Sequence, residues 1–390
     1  MRVLFVVPPL FGHVNPTIGL GAALSARGHQ VAWAGHAEFL RQLTGPAAKV
    51  YDCATPTQVE ERPADLRGPG ALKFLWEQFL VPLAESMLPD VEAAIGEFQP
   101  DVLVVDQQAM AGALAALRLG LPWATSATTS AEFTDPLRGM PKVVEWVQET
   151  MAGMRARAAV AGETDLRYSP HLTLAFTTRE LVGELDPAFD RVAFVGPSIT
   201  ERPDPTPFPW ERLDQRAKVL ISLGTANADA GERFLRAAAE AMGELADRVQ
   251  AVLVDPAGTV TSVPDNVITA TRVPQLALLP KVDAVVCHAG HNTVCESLSH
   301  GLPLVVAPIR DDQPVIAQQV ADAGAGIRLR FTRAGAAHIR DAVATVLDEP
   351  GHREAARRLA QSFIAAGGSQ AAALRLEELA APIAIGRISE

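Results

Sequence analysis

The segment from Val285 to Gln313, VVCHAGHNTVCESLSHGLPLVVAPIRDDQ, constrains the fold more than any other stretch. An apolar run (Val282, Ala284, Val285, Val286) reads as a buried strand and stops at His288-Ala289-Gly290. Helical spacing follows over residues 292–300, ended by Gly301 with Pro303 just beyond. A second apolar run covers residues 303–308 and opens into the charged loop Arg310-Asp311-Asp312-Gln313. Strand, small-residue turn, helix and strand at this spacing make a βαβ unit, which belongs to a parallel sheet. The unit also says where a ligand sits. A helix that starts just after a strand aims unpaired N–H groups and a partial positive charge at whatever lies above the turn, and that suits a phosphate. His288 and Thr293 add side-chain donors there. Glu296, one turn on, suits the hydroxyls of a ribose, and Asp312 and Gln313 suit those of a sugar.

The N-terminus repeats the pattern. Val3-Leu4-Phe5-Val6-Val7 reads as a strand covered on both faces and ends at Pro8-Pro9. A loop is expected over residues 10–16, a helix over 17–26 and a strand from His29. No G-x-G-x-x-G fingerprint follows the first strand. Residues 100–106 read as a buried strand ending in the carboxylate of Asp106, with a helix over 109–119 and another strand at 121–124. Prolines at 203, 205, 207 and 209 exclude a helix or a central strand and predict a stiff linker. Beyond it the pattern restarts with a strand over residues 219–225, whose Ser222, Gly224 and Thr225 offer hydroxyl and backbone donors to a diphosphate. Gln275, in the sequence VPQ, is placed to meet a base or ribose. The expected division is a first Rossmann-like domain over 1–200, the linker 201–215, a second Rossmann-like domain over 216–369, and a terminal helix and tail over 370–390.

A chain of 390 residues suits two domains of this size. The net charge of −11 argues against nucleic-acid or anionic-membrane binding, so any phosphate site is local. Three cysteines (Cys53, Cys287, Cys295) make no disulfide framework, and the start MRVLFVV lacks the features of a signal peptide, so a cytoplasmic location is expected. No apolar run approaches the ~20 residues of a membrane-spanning helix.

His13, on a loop at the ligand edge of the first sheet, is the candidate general base, since a neutral imidazole takes a proton near pH 7. Asp106 ends another strand of the same half and is placed to hold and charge-balance the ring. The plainer reading is that both residues cap the helices that follow them. Cys287, His288, His291 and Cys295 have spacings that suit a metal, but Cys287 lies within the strand run, and no metal is expected. Phe11, Phe74, Trp76, Phe79, Phe133 and Trp146 are either core or the lining of an apolar acceptor pocket. Arg155, Arg157 and Arg167 read as surface.

His288-x-Gly290-x-Asn292-Thr293, with Glu296 and then Asp312-Gln313 after it and Pro274-Gln275 before it, resembles the donor signature of the family 1 glycosyltransferases. The likeness is closest to the bacterial branch that glycosylates macrolides, other polyketides and carotenoids. Many relatives place an Asn three residues after the Gln, where this chain has Ile316. The resemblance implies the GT-B arrangement, two Rossmann-like α/β domains facing across a cleft, with the terminal helix packing back on the first half. It also implies an inverting transfer from a nucleoside diphosphate sugar, UDP or dTDP, to a hydroxyl of an apolar small molecule, with no cofactor and no metal. Nucleic acid and an integral membrane segment are not expected, and a homodimer is compatible with the sequence. Two alternatives stay open: a nucleotide-sugar epimerase of the same architecture, and a catalytically silent donor-binding partner protein.

Overall fold

Short apolar runs alternate with stretches of helical period, and the chain folds accordingly as alternating strands and helices. The computed structural model describes residues 1–56, 63, 66, 68–189, 191–200, 206–224 and 231–381. The first half runs β1 (Arg2–Val6), α1 (Phe11–Ala26), β2 (Gln30–Gly35), α2 (Ala37–Thr44), β3 (Val50–Asp52) and α3 (Gly68–Phe74). A π-helical turn (Leu75–Leu80) leads into α4 (Val81–Phe98), β4 (Val102–Asp106), α5 (Ala111–Leu119) and β5 (Trp123–Ala127). Then come α6 (Pro141–Arg157), β6 (Thr173–Ala175), α7 (Arg179–Val182) and β7 (Val192–Phe194). The second half runs β8 (Ala217–Ser222), α8 (Glu232–Glu244), β9 (Val249–Val254), β10 (Val267–Ala270), α9 (Gln275–Leu278), β11 (Ala284–Cys287) and α10 (His291–Ser299). It closes with β12 (Leu304–Val306), α11 (Gln313–Asp322), β13 (Gly326–Arg328), α12 (Ala336–Asp348), α13 (Pro350–Ala366) and α14 (Gly368–Ala380).

The strands form two parallel sheets, in the orders β3-β2-β1-β4-β5-β6-β7 and β10-β9-β8-β11-β12-β13. Each order reverses once, between β1 and β4 in the first sheet and between β8 and β11 in the second. At such a reversal the connections leave to opposite faces, and a crevice opens at the carboxyl ends of the two central strands. Register places Val6 beside Val105 in the first pair and Ser222 beside Cys287 in the second. The central strands are fully buried from Val3 to Val6 and from Val219 to Ile221, which is why they read as unbroken apolar runs.

Three expectations are corrected. Residues 11–16 are helix, not loop: α1 starts at Phe11 and carries Pro16 inside it. Arg155 is buried and donates to the Thr164 carbonyl at 2.8 Å. Arg167 is paired with Asp165 and Glu132. Of the Pro-rich segment, Trp210–Arg212 is a single 3₁₀ turn, while Pro203 and Pro205 lie outside the described residues, as do Thr225 and residues 382–390.

The last helix lies against the first domain. Ala372, Ala373 and Leu376 of α14 join Val3, Phe5, Leu20 and Leu24 in one apolar cluster. Glu377 takes hydrogen bonds from Arg27 at 2.6 Å and from His29 at 2.7 Å. The chain therefore crosses between domains twice, and the crossings touch: Gly368 N–H donates to the Val195 carbonyl, and Ser198 meets Ser369 at 2.8 Å. Gly19 of α1 sits against both serines, where a Cβ would come within 2.7 Å of Ser369 Oγ.

Candidate active site

Both crevices carry polar side chains, and the two face each other. In the first, His13 lies in the opening turn of α1, just past β1, and Asp106 ends the neighbouring β4. His13 Nδ1 lies 2.9 and 3.0 Å from the two Asp106 oxygens. Asp106 is fully buried, and the Gln108 N–H donates to it at 2.8 Å. Its carboxylate thus binds the ring and closes the turn that follows, but it does not cap α5, which starts after Met110 with no side-chain cap. Thr128, beyond β5, places its hydroxyl 2.8 Å from His13 Nδ1 and donates to Asp106 Oδ2 at 3.3 Å. With a carboxylate and a hydroxyl oxygen both on Nδ1, the neutral ring keeps its proton there and leaves the lone pair on Nε2. Burial alone would lower the pKa of His13. Asp106, and further off Asp312, outweigh it and raise the pKa above the ordinary value.

In the second crevice, Ser222 ends β8 and His288 follows β11. The His288 ring is held between two glycines. A Cβ on Gly224 would lie 2.7 Å from the ring, and one on Gly290 would overlap it. Burial first, and then the Arg310 guanidinium, lower the His288 pKa to about 4, while a hydrogen bond to the Ser222 backbone opposes them. The ring is therefore neutral at pH 7. Its Nδ1 is buried and has no partner among the described residues. Gly290 N-caps α10 with no side-chain cap, so the first-turn N–H groups of that helix have no side-chain acceptor at the cap. Ala289 and Asp311 flank this crevice with left-handed backbone (φ 66 and 58), a strained choice for residues other than glycine and one that clusters at functional sites.

The remaining expected donor residues gather around this crevice. Gln275 Nε2 donates to Glu296 Oε2 at 2.6 Å, so the two residues expected at the nucleoside are joined. Gln313 is buried, and its Oε1 accepts from Ile309 N–H at 2.9 Å and Arg310 N–H at 3.1 Å. That oxygen staples the loop and is engaged by the backbone. Thr293 is half-buried in the first turn of α10. Asp312 has a raised pKa, chiefly through burial, and its carboxylate takes a hydrogen bond from Thr129 of the first domain. Ile316 is fully buried in the core beneath α11. Arg310, absent from the expected set, is buried beside His288.

The aromatic expectations divide. Phe133 and Trp76 are 0% and 3% exposed and belong to the core, so an acceptor-lining role is withdrawn for both. Phe133 packs in a ring cluster with Phe189 and Phe194, and Trp76 packs edge-on against Trp146. Phe11 is 40% exposed beside His13 and stacks edge-on with Phe39 at 4.8 Å. Phe74, Phe79 and Trp146 are half-buried. A cavity of about 410 Å³ lies away from His13, between α1 and the two chain crossings, and has no part in this chemistry. The metal reading of Cys287, His288, His291 and Cys295 finds no support: among the described residues no group of three or more His, Cys, Asp or Glu side chains is placed around one point.

Thr128, Thr129 and Arg310 escaped the sequence reading. All three lie just beyond a strand's carboxyl end, the edge where open α/β sheets bind ligands, and that position was the available signal.

Comparison with known proteins agrees with this geometry. Residues 238–379 match the erythromycin biosynthesis protein CIII-like C-terminal domain. Over 410 residues the chain is 32% identical to 4'-demethylrebeccamycin synthase of Lentzea aerocolonigenes, covering 93% of this chain and 96% of that protein. The solved structure of the glycotransferase of kitacinnamycin superposes with a TM-score of 0.80 at 26% identity, over 97% of this chain and 98% of that one. A spinosyn rhamnosyltransferase complexed with thymidine diphosphate superposes with a TM-score of 0.74 at 27% identity, over 97% and 100%. The chain belongs to the family 1 glycosyltransferases, and its paired Rossmann-like domains are the GT-B fold.

Proposed function

We propose that this protein is a metal-independent, inverting glycosyltransferase. It moves a hexose or deoxyhexose from a UDP or dTDP sugar to a hydroxyl of an apolar natural product such as a polyketide or macrolide. The observation that carries this reading is the meeting of the two crevices: the His13–Asp106 pair of one domain lies within electrostatic reach of Asp312 from the other. His13 Nε2 takes the acceptor's hydroxyl proton. The freed oxygen attacks the anomeric carbon as the bond to the diphosphate breaks, and the electron pair leaves with the nucleotide on the opposite face. His288, Ser222, Thr293 and the N-terminus of α10 meet the charge that develops there. Glu296 and Gln275 hold the ribose, and Asp312 and Gln313 hold the sugar. Phe11, Phe74, Phe79 and Trp146 border the acceptor. The thymidine diphosphate bound to the spinosyn relative supports a diphosphate donor of this kind.

The test is a thermal-shift panel with UDP, dTDP, GDP, ADP and NAD⁺ on the wild type and His288→Ala. A ligand at a hundredfold over its Kd stabilises by ~2.7 kcal/mol, enough to read. Stabilisation by UDP or dTDP that the variant loses supports the donor site. Stabilisation by NAD⁺ alone, or by none of the five, overturns it. Transfer that survives EDTA and an NMR assignment of the product's anomeric configuration test metal independence and inversion.

A further inference from the structure

The donor-side helix α10 reaches into the first domain at its second residue. Asn292 Nδ2 donates to the Gly12 carbonyl at 2.9 Å, and Gly12 immediately precedes His13. In an uninterrupted α-helix that carbonyl would take the N–H four residues on. Here that residue is Pro16, which lies inside α1 and has no N–H, and a proline ring crowds the carbonyl four residues before it. The sequence Gly12-His13-Val14-Asn15-Pro16 therefore leaves one backbone acceptor free of its helical partner beside His13, and the donor it meets comes from the other domain. The first turn of α10 is anchored a second time nearby. The His291 ring and the Cys295 thiol both bond to the carbonyl of Phe176, just past β6.

We propose that Asn292 is a positioning residue that couples the seating of the donor domain to the placement of His13. The proposal rests on His13 being the base, and it goes beyond that reading by assigning Asn292 to the His13 turn rather than to the nucleotide. The amide can donate to a carbonyl, whereas a carboxylate at the same place would set two acceptors face to face. The feature is written in two places, an amide at 292 and a proline at 16, and it needs both. Restoring an N–H at residue 16 would give the Gly12 carbonyl a donor in its own helix that competes with Asn292.

The experiment compares Asn292→Ala, Pro16→Ala and the double variant. Three quantities are followed: Kd for UDP and dTDP, glucose transfer from UDP-glucose and dTDP-glucose to 4-methylumbelliferone, and the ionisation of the His13 ring by NMR. Each single variant should lower kcat on the order of fivefold, the scale of one net hydrogen bond. The double variant should lose no more than either single one. Nucleotide Kd should stay within about twofold. The His13 pKa should fall alike in all three variants as Asp312 moves off. Asn292→Asp should be slower than Asn292→Ala. Additive losses, or an unchanged kcat and His13 pKa, would overturn the proposal. So would a tenfold loss of nucleotide affinity in Asn292→Ala with Pro16→Ala unaffected, since Asn292 would then serve the donor directly. If the wild type binds neither nucleotide, or transfers nothing to the phenol, it is the functional reading that fails. The His13 ionisation, read without any ligand, still decides the coupling.

Discussion

Ser130, beyond the end of β5, and Gln319 of α11 meet across the domain boundary. The serine hydroxyl donates to Gln319 Oε1 at 2.6 Å, and both side chains are buried. Removing one partner strands the other away from water, which typically costs ~1–3 kcal/mol. Ser130→Ala should therefore lower the melting temperature, and Ser130→Ala with Gln319→Leu should be milder than the sum of the two. A double-mutant cycle by calorimetry checks this, and strict additivity would refute it.

His13→Ala should leave nucleotide binding intact and reduce transfer by ~10²–10⁴-fold, the usual worth of a general base. The pH dependence has a definite sign. Only the neutral ring accepts a proton, and Asp106 holds the folded pKa above 6.5. Activity should fall as pH drops through that raised value, and Asp106→Asn should shift the acid limb to lower pH while slowing the reaction. The stability contribution of the pair runs the other way. It is fully present below the unfolded pKa of 6.5 and is lost as pH rises through the folded value. A pH–rate profile alongside pH-dependent melting separates the two effects.

His288 and His291 have the opposite sense. Burial, the main cause in both, lowers their pKa to about 4 in the fold. Unfolded chains take up those protons below 6.5 and the folded protein does not, so stability should decline as pH falls from 6.5 towards 4. A drop from 6.5 to about 4 corresponds to on the order of 3 kcal/mol for each ring. Urea titrations between pH 7 and pH 4.5 should show the loss, and His291→Gln should reduce its pH slope.

Gly224→Ala tests the seat of the His288 ring. The glycine has φ 73, and the added Cβ would lie 2.7 Å from the imidazole. The ring must move, so UDP or dTDP affinity should fall while His13 and Asp106 stay in place. Titration calorimetry reads the affinity, and wild-type binding would show that His288 does not contact the diphosphate.

The parallel sheets and both crevices were legible because each depends on local sequence. Unbroken apolar strands, glycine turns and the presence of a helix after β1 and after β11 are all written within a few residues of one another. The boundary of α1 was not. Pro16 reads as the end of a loop with the helix starting after it, and only the fold reveals a helix running through it. The status of the aromatic residues was also hidden, because helical spacing gives Trp76 and Phe79 the same pattern, while packing against Trp146 buries one and leaves the other half-exposed. The links that join the halves, Asn292 to Gly12, Ser130 to Gln319 and Thr129 to Asp312, connect residues more than 180 positions apart. No local pattern predicts such pairs.

The packing of α14 on α1 has a consequence for exchanging parts between relatives. The donor half is in effect an insert, entered after β7 and left between α13 and α14. A chimera joined only at the Pro-rich segment would carry a foreign α14 onto the native α1 and would have to seat the foreign counterparts of Ala372, Ala373 and Leu376 on a surface they did not evolve with. Two junctions, one before Ser198 and one at Gly367-Gly368, would let a new donor specificity be grafted while the acceptor half keeps its own final helix.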